Sequence, residues 1–394
     1  MRKTYRILLF ALFIFSNSYG QGAWSYVGTF NGGNCDQPFY FTLNDKGYVG
    51  GGRTAWNVYK DDFWEYDPIA NTWTQKADYG GGAKSAQSAF TINDKAYVGC
   101  GLSTTGYHND FWEYDPATNI WISRAPFAGP ARYSTAAFAV NGYGYVALGW
   151  NGSALSDVWC YDSNTDSWSQ KSNFPGIGRS AFQSFTANDY GYVVNGLKTN
   201  TETNELWQYN PLSDTWNAKA SFPGSPRYGG AAFVIGGKAY VGIGKNLSAT
   251  HFQDFYAYDL FNDSWSAIPV FLGVGRSSPF SFAINNIGYV GIGTNGPVNT
   301  PIMLNDVWKF DPTTVGINEP QSSFNIYFDN VNNSFSISLA DELIGKLFKV
   351  YNNLGQQVLN SVINSNQIYC DKNFATSVYY YSIDGVTTGK VFVR

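Results

Sequence analysis

The sequence predicts an all-β chain: a six-bladed β-propeller closed by an N-terminal strand, followed by a small Ig-like β-sandwich. Three observations carry that prediction. The block HNDFWEYDPATNIW, His108 to Trp121, recurs in six altered copies. The closing Trp of the first five copies falls at 73, 121, 168, 216 and 265, steps of 48, 47, 48 and 49 residues, the period of an array of like supersecondary units. Finally, the first and last units are incomplete in complementary ways.

The sibling blocks are DDFWEYDPIANTW (from Asp61), SDVWCYDSNTDSW (from Ser156), NELWQYNPLSDTW (from Asn204), QDFYAYDLFNDSW (from Gln253) and NDVWKFDPTTVGI (from Asn305). Large side chains alternate after the acidic residue, as in Trp112 and Tyr114, the period of a strand. Asp115, Pro116 and Asn119 then supply turn chemistry, since Pro presets its own dihedral and Asx side chains bond their own backbone. A further strand opens at the Trp. Upstream, runs such as Ser88 to Ile92, Ala136 to Val140 and Ala231 to Val234 end in Asn-Asp, Asn-Gly or Gly-Gly and lead into a Tyr-Val strand, the signature of a tight hairpin. Each unit therefore has four strands.

Trp24-Ser-Tyr-Val-Gly lies 49 residues before Trp73 and reads as a fourth strand without its first three. The last unit, ending at Phe310-Asp-Pro, has three strands and no closing Trp. Pairing the strand from Trp24 with Asp306 to Asp311 closes the ring and leaves no open sheet edge. An open solenoid needs polar caps, and neither end has one.

Ahead of this, Arg2, Lys3 and Arg6 precede an apolar run from Ile7 to Phe15 and then Ser18, Tyr19 and Gly20. That is the layout of an export signal over residues 1–20, with a mature chain from about Gln21. No later segment is apolar enough to cross a membrane. A net charge of -4 gives no basic footprint, so no nucleic-acid partner is implied.

The order of first strand, Tyr-Val-x-x-Gly and Asp-x-Trp-x-Tyr-Asp-Pro-x-x-Asn-x-Trp resembles kelch repeats, over residues 21–314. The resemblance implies a propeller of the kind found in the central domain of galactose oxidase. Kelch repeats usually carry a Gly pair after the second strand. Here only the last Gly recurs (Gly52, Gly101, Gly149, Gly196, Gly244, Gly293), preceded by Gly51, Cys100, Leu148, Asn195, Ile243 and Ile292.

In an up-and-down blade, the connections after strands two and four share one face. There the loops vary, as in Arg53 to Asp61, Leu102 to Asn109, Trp150 to Ser156, Lys245 to Gln253 and Thr294 to Asn305, so binding groups are expected on that face. One repeated column precedes each first strand: Cys35, Lys84, Arg132, Arg179, Arg227 and Arg276. The five cations are candidates to ring the channel mouth and hold carboxylates or phosphates. Alternatively, each forks onto main-chain carbonyls or the acid of a neighbouring blade (Asp110, Asp157, Glu205, Asp254). In kelch propellers the equivalent Arg serves ligands in some members and architecture in others. Off-repeat residues Trp56, Trp150, Tyr107, His108 and His251 (with Phe252) are further candidates, flat rings beside Arg and Asn suited to sugars or peptides, unless they cap the channel by packing on each other.

Two His half a ring apart make an incomplete metal shell, and neither has the Tyr-Cys setting a copper-radical oxidase needs, so no metal and no cofactor is expected. No nucleophile elbow, phosphate loop or zinc-binding helix motif occurs. The expected role is a binding module for glycan or protein. The alternative is a sugar-processing enzyme, as in the sialic-acid mutarotases that share the kelch fold, for which Glu202, Glu205 and Asp254 are the acids to test. Cys35 and Cys100 fall on the loop face of adjacent blades and could pair in an oxidising compartment, while Cys160 reads as a lone thiol.

After Thr314, VGINEPQSS (residues 315–323) reads as a linker, and residues 324–394 as seven short strands. Asn325-Ile-Tyr, the hairpin Val350-Tyr-Asn-Asn-Leu-Gly-Gln-Gln-Val-Leu, Val378-Tyr-Tyr-Tyr-Ser-Ile and the terminal Gly389-Lys-Val-Phe-Val-Arg resemble the type A C-terminal sorting domain of the type IX (Por) secretion system of certain Gram-negative bacteria. It departs from that family at Phe328-Asp329-Asn330, where Asn-Pro is usual, and at Ser377, where Gly is common. The resemblance implies export across both membranes, with the tail removed or used for surface attachment.

Overall fold

The computed structural model describes residues 22–297, 300–314, 326–329, 333–337, 343–352, 356–365, 367–370, 374, 377–383 and 387–393. The expected export signal (1–20), the linker (315–323) and Asn325 lie outside the described residues. The chain divides after Gly316 into two units.

The first unit is a six-bladed propeller of four-stranded antiparallel sheets. Its innermost strands are Phe39–Leu43, Ser88–Ile92, Ala136–Val140, Gln183–Ala187, Ala231–Ile235 and Phe280–Ile284; each touches the next, and the sixth returns to the first. Blade 6 is completed by the start of the chain. Ala23–Thr29 pairs antiparallel with Ile302–Asp311, with Trp24 opposite Phe310 and Thr29 opposite Asp306. The closure read from the two incomplete units is the closure observed.

Adjacent blades are held together in two ways. The first is aromatic packing: Trp24 sits among Phe255, Phe271, Phe310 and Phe233, with ring centroids 4.9, 5.0, 5.1 and 6.3 Å away. Close approach is built in at Gly144, where an added Cβ would lie 2.0 Å from the Phe90 ring of the preceding blade. The second is a set of polar latches. The outer-strand indoles of Trp24, Trp121, Trp168 and Trp265 donate to the carbonyls of Pro269, Ala77, Ala125 and Ala220, each in the blade before.

The turn after strand three splits its Asx residues between two jobs. The first Asx bonds its own backbone as expected, Asp115 accepting from the Ala117 amide at 2.9 Å. The second is left-handed (φ 57° at Asn119), which turns its side chain outward to accept from the Ala77 amide of the preceding blade at 3.0 Å and from the Tyr114 hydroxyl at 2.9 Å. Asp166, Asp214 and Asp263 repeat that arrangement with Ala125, Ser172 and Ala220.

The missing first glycine of the kelch pair also has a physical account. Cys100, Leu148, Asn195, Ile243 and Ile292 all hold the left-handed φ, between 46° and 64°, that a glycine would adopt freely. Left-handed backbone costs an L-residue roughly 1–2 kcal/mol. Leu148, Ile243 and Ile292 are fully buried, which returns roughly 1.5–3 kcal/mol each, so packing offsets the strain.

The second unit has seven described strands in two antiparallel sheets: Ile326–Asp329, Ser334–Ile337 and Gln367–Tyr369 in one; Gln357–Val362, Leu347–Tyr351, Ser377–Ile383 and Thr387–Val393 in the other. Phe335, Phe348, Val350, Ile368 and Tyr381 belong to one shared apolar core. The predicted hairpin forms, Val350 pairing with Leu359 and Tyr351 with Gln357 across a register shift.

Candidate functional site at the loop face

The repeated cation column does not ring an open mouth. Arg132, Arg179, Arg227 and Arg276 are 0% exposed and Lys84 3%. Arg227 shows the pattern. Its Nε donates to Ser225 O (2.9 Å), Nη1 to Ile243 O (3.2 Å) and Asp254 Oδ1 (2.6 Å), and Nη2 to Asp254 Oδ2 (2.8 Å). The guanidinium lies 4.8 Å from the centre of the Phe222 ring.

Arg132 and Arg276 repeat this fork on Asp157 and Asp306. Arg179 pairs with Glu205 and Lys84 with Asp110. Of the two readings open for Lys84, Arg132, Arg179, Arg227 and Arg276, a charge facing a ligand or a fork within the protein, the geometry has the fork. Apart from Arg179 Nε, their side-chain nitrogens are bonded within the protein, and the partner acid lies on the same blade, two strands out, rather than on a neighbour. All of these acids but Asp254, which has Tyr256 at that position, are engaged a second time by the indole two residues on, as Trp159 Nε1 donates to Asp157 at 2.7 Å. Each column carbonyl also accepts from the recurring glycine of the preceding blade, as Arg132 O does from Gly101 N at 2.8 Å. Blade 1, with Cys35 in the column, takes its cation from the loop instead: Lys60 pairs with Asp62 at 2.9 Å.

Of the acids singled out in the sequence, Glu205 and Asp254 are spent in these pairs, and Glu202 accepts from the Leu247 amide. Hydrogen bonds from Lys198, Arg179 and Trp207 outweigh burial and pull the Glu205 carboxyl down to about 2. Cys35 and Cys100 are both free and buried rather than paired, and burial pushes each thiol up to about 12.

One residue beyond each scaffold column, the chain becomes irregular, and there a rim forms. The residues after the cation column bridge to those after the recurring glycine: Asp36 to Arg53, Ser85 to Leu102, Tyr133 to Trp150, Ser180 to Leu197, Tyr228 to Lys245 and Ser277 to Thr294. Arg53 Nε donates to Asp36 at 2.8 Å, and its guanidinium lies 5.2 Å from the centre of the Trp56 ring, itself 76% exposed. Tyr107 stacks on Tyr133, centroids 5.6 Å apart. Lys245 Nζ lies 5.7 Å from the Tyr228 ring; burial holds its ammonium below the usual lysine range, with Asp36 opposing and Arg53 reinforcing that shift. Burial raises the Tyr133 phenol, and Tyr107 adds to it.

The rim thus gathers Trp56, Tyr107 and Trp150 from the expected residues, and adds Asp36, Arg53, Tyr133, Tyr228 and Lys245, which sequence reasoning missed. The missed signal was a one-residue offset: repeat-fixed positions carrying non-repeating side chains. His108 is half-buried and folds back on its own loop, Nε2 2.7 Å from Ser103 Oγ, and burial followed by Lys84 lowers its pKa. His251 is likewise lowered, by burial and then Lys245, and its backbone bridges to Lys245. The two histidines do not share a site, and among the described residues no group of acids, His and Cys could hold a metal ion.

Inside the rim a belt of left-handed residues frames the channel: Gln37, Ala86, Ser134, Ala181, Gly229 and Ser278. Backbone bonds run around it, Gln37 N to Ser278 O (3.0 Å), Ser278 N to Gly229 O (2.7 Å), Gly229 N to Ala181 O (2.6 Å), Ser134 N to Ala86 O (3.0 Å) and Ala86 N to Gln37 O (2.8 Å). Below the belt is a cavity of about 430 Å³ walled by the innermost strands.

A family model described as the KLHDC2/KLHL20/DRC7 Kelch-repeats domain matches residues 35–196. The solved structure of YjhT superposes with a TM-score of 0.61 at 18% identity, covering 72% of this chain and 96% of that one. Residues 35–196 thus match a kelch-repeat model over less than half of the chain, and the first unit shares its six-bladed propeller fold with that structure. A comparison with curated protein sequences gave no match. In all, 666 chains of solved structures resemble it, and because one fold hosts many functions, the rim must carry the functional argument.

Proposed function

We propose that this kelch propeller is a glycan-binding module, exported to the cell surface or beyond, that holds its ligand at the loop-face rim. One observation carries the reading: the rim presents aromatic and cationic side chains that do not repeat from blade to blade, Trp56 beside the Asp36-held Arg53, Tyr107 on Tyr133 and Lys245 over Tyr228, on positions the scaffold fixes. Flat rings with polar neighbours suit stacking on sugars, and a preorganised rim lowers the ordering cost of binding. The test is a glycan array with the secreted protein, repeated with Trp56→Ala and Tyr107→Ala. Binding that weakens in both variants supports the reading. An empty array alongside a protein captured through the same residues would replace glycan with a protein ligand.

Export is supported by the basic head and apolar run of residues 1–20 and by the tail motifs, which point to type IX sorting. Mass spectrometry of the secreted form should find an N-terminus near Gln21 and will show whether residues 324–394 remain.

A further inference from the structure

The seam between blades 6 and 1 departs from the pattern of the others. At three of them, one residue of the preceding blade gives its whole peptide group to a polar clamp on the outer strands. Asn119 Oδ1 accepts from Ala77 N while Trp121 Nε1 donates to Ala77 O; Asp166 and Trp168 hold Ala125 in the same way, and Asp263 and Trp265 hold Ala220. At a fourth, Asp214 takes the Ser172 amide, and the Trp216 indole nitrogen is buried without a partner.

The residue of blade 6 that stands after Trp24 as Ala77 stands after Trp73 is Gly28. It does not cross the seam. Val27 bulges from the ladder, and Gly28 and Thr29 stay paired within their own sheet, opposite Val307 and Asp306.

The clamp in blade 1 is nonetheless built like that of blade 2. Asn71 is left-handed, φ 53° against 57° at Asn119, and its Oδ1 accepts from the Tyr66 hydroxyl at 2.9 Å, as Asn119 does from Tyr114. The Trp73 ring lies 4.8 Å from that of Tyr66, against 4.9 Å for Trp121 and Tyr114. Among the described residues, no amide of blade 6 donates to Asn71 Oδ1 and Trp73 Nε1 donates to nothing, while Asn71 Nδ2 reaches Val27 O at 3.4 Å. Unlike Trp216 Nε1, the Trp73 nitrogen is not sealed from solvent. A cleft of about 260 Å³ lies here, lined by Val27, Val307 and the half-buried Trp73 and by the exposed Thr29, Asn31 and Asn71.

We propose that this seam is a docking site for an extended peptide of a partner protein. One small residue of that peptide gives its N–H to Asn71 Oδ1 and its C=O to Trp73 Nε1, as Ala77, Ala125 and Ala220 do at the other seams. A main-chain amide is the favoured occupant because the same pair of groups binds one three times within this molecule. The donor and acceptor are already held in place by Tyr66, which lowers the ordering cost of binding. No charged side chain lines the cleft among the described residues, so recognition falls to the main chain and to the size of the residue presented. The site shares no residue with the rim and does not depend on the glycan reading.

The test uses the isotope-labelled mature chain, read by its indole N–H resonances, and capped peptides copied from the clamped segments, Thr74 to Gly80 (TQKADYG) and Asn217 to Pro223 (NAKASFP). Trp73→Phe identifies the Trp73 resonance, since it keeps a ring and removes the donor. Asn71→Gly removes the acceptor and suits the left-handed backbone, and melting curves confirm that both variants fold. Each peptide should shift the Trp73 resonance saturably, and Asn71→Gly, or N-methylation of the peptide at its Ala, should weaken binding by about tenfold. No shift of that resonance at about 10 mM peptide, or a shift that Asn71→Gly and N-methylation both leave unchanged, overturns the proposal. So does an equal shift on adding neutral methyl glycosides, which makes the seam a sugar site instead.

Discussion

Closure by the N-terminal strand can be tested at one residue. Trp24→Ala removes an indole that is 5% exposed and surrounded by Phe233, Phe255, Phe271 and Phe310. Truncating a buried aromatic to Ala costs about 3–5 kcal/mol. The Pro269 carbonyl also loses its donor, adding about 1 kcal/mol. A loss of about 4–6 kcal/mol is a large share of a typical stability of roughly 5–15 kcal/mol. For a unit of this size it corresponds to a fall in Tm on the order of 10 °C. The internal control is Trp168→Ala, the same repeat position in an uninterrupted blade, packed on Phe111, Phe127 and Tyr161. Urea titration followed by near-ultraviolet circular dichroism should place Trp24→Ala at least as far from the parent as Trp168→Ala. If Trp24→Ala costs less than about 1 kcal/mol while Trp168→Ala costs several, the strand does not close the ring. Deleting residues 21–30 should be harsher still, and cooperative.

Three further outcomes are expected. Arg227→Leu leaves Asp254 without its buried partner and should cost about 3–5 kcal/mol, whereas Arg227→Leu with Asp254→Leu should recover much of that loss; equilibrium melts of the two decide it. Glu205 has a folded pKa of about 2 against an ordinary 4.5, so its contribution is present above about 4.5 and is lost as pH falls through about 2; Asp157 and Asp306 are lowered too and act in the same direction. Thermal melts from pH 6 to pH 2 should therefore show falling Tm, and Glu205→Gln should flatten part of that fall. Ellman's reagent should leave Cys35 and Cys100 unmodified in the native protein and label both after denaturation, because the thiols are free, buried and pushed up to about 12.

The repeat made the architecture legible because every blade solves the same packing problem with the same residues. The Trp at 73, 121, 168, 216 and 265 and the stray Trp24 fixed both the number of sheets and the closure. Two things were hidden. A turn Asx looks alike whether it bonds its own backbone, as Asp115 does, or the preceding blade, as Asn119 does, because the difference is a left-handed φ no residue pattern declares. The missing kelch glycine was hidden for the same reason: Ile243 and Ile292 tolerate that backbone only because they are wholly buried.

The candidate site was legible in place but not in residue, and the reason is energetic. An isolated buried guanidinium is costly by several kcal/mol, so one that recurs around a ring must meet its partners inside the ring. The Arg column does so, each member tying a carboxylate, a neighbouring carbonyl and an aromatic face together at the same point of its blade. Such a residue can position a rim, its side-chain nitrogens already bonded within the blade except at Arg179 Nε. Recognition requires departure from the repeat, because a ligand without sixfold symmetry cannot satisfy six identical contacts at once. The departures are Asp36 and Arg53 in blade 1, Tyr107 in blade 2, Tyr133 and Trp150 in blade 3, and Tyr228 and Lys245 in blade 5. Their partners differ from blade to blade while the backbone beneath them does not, which is the arrangement a selective mouth on a symmetric frame needs.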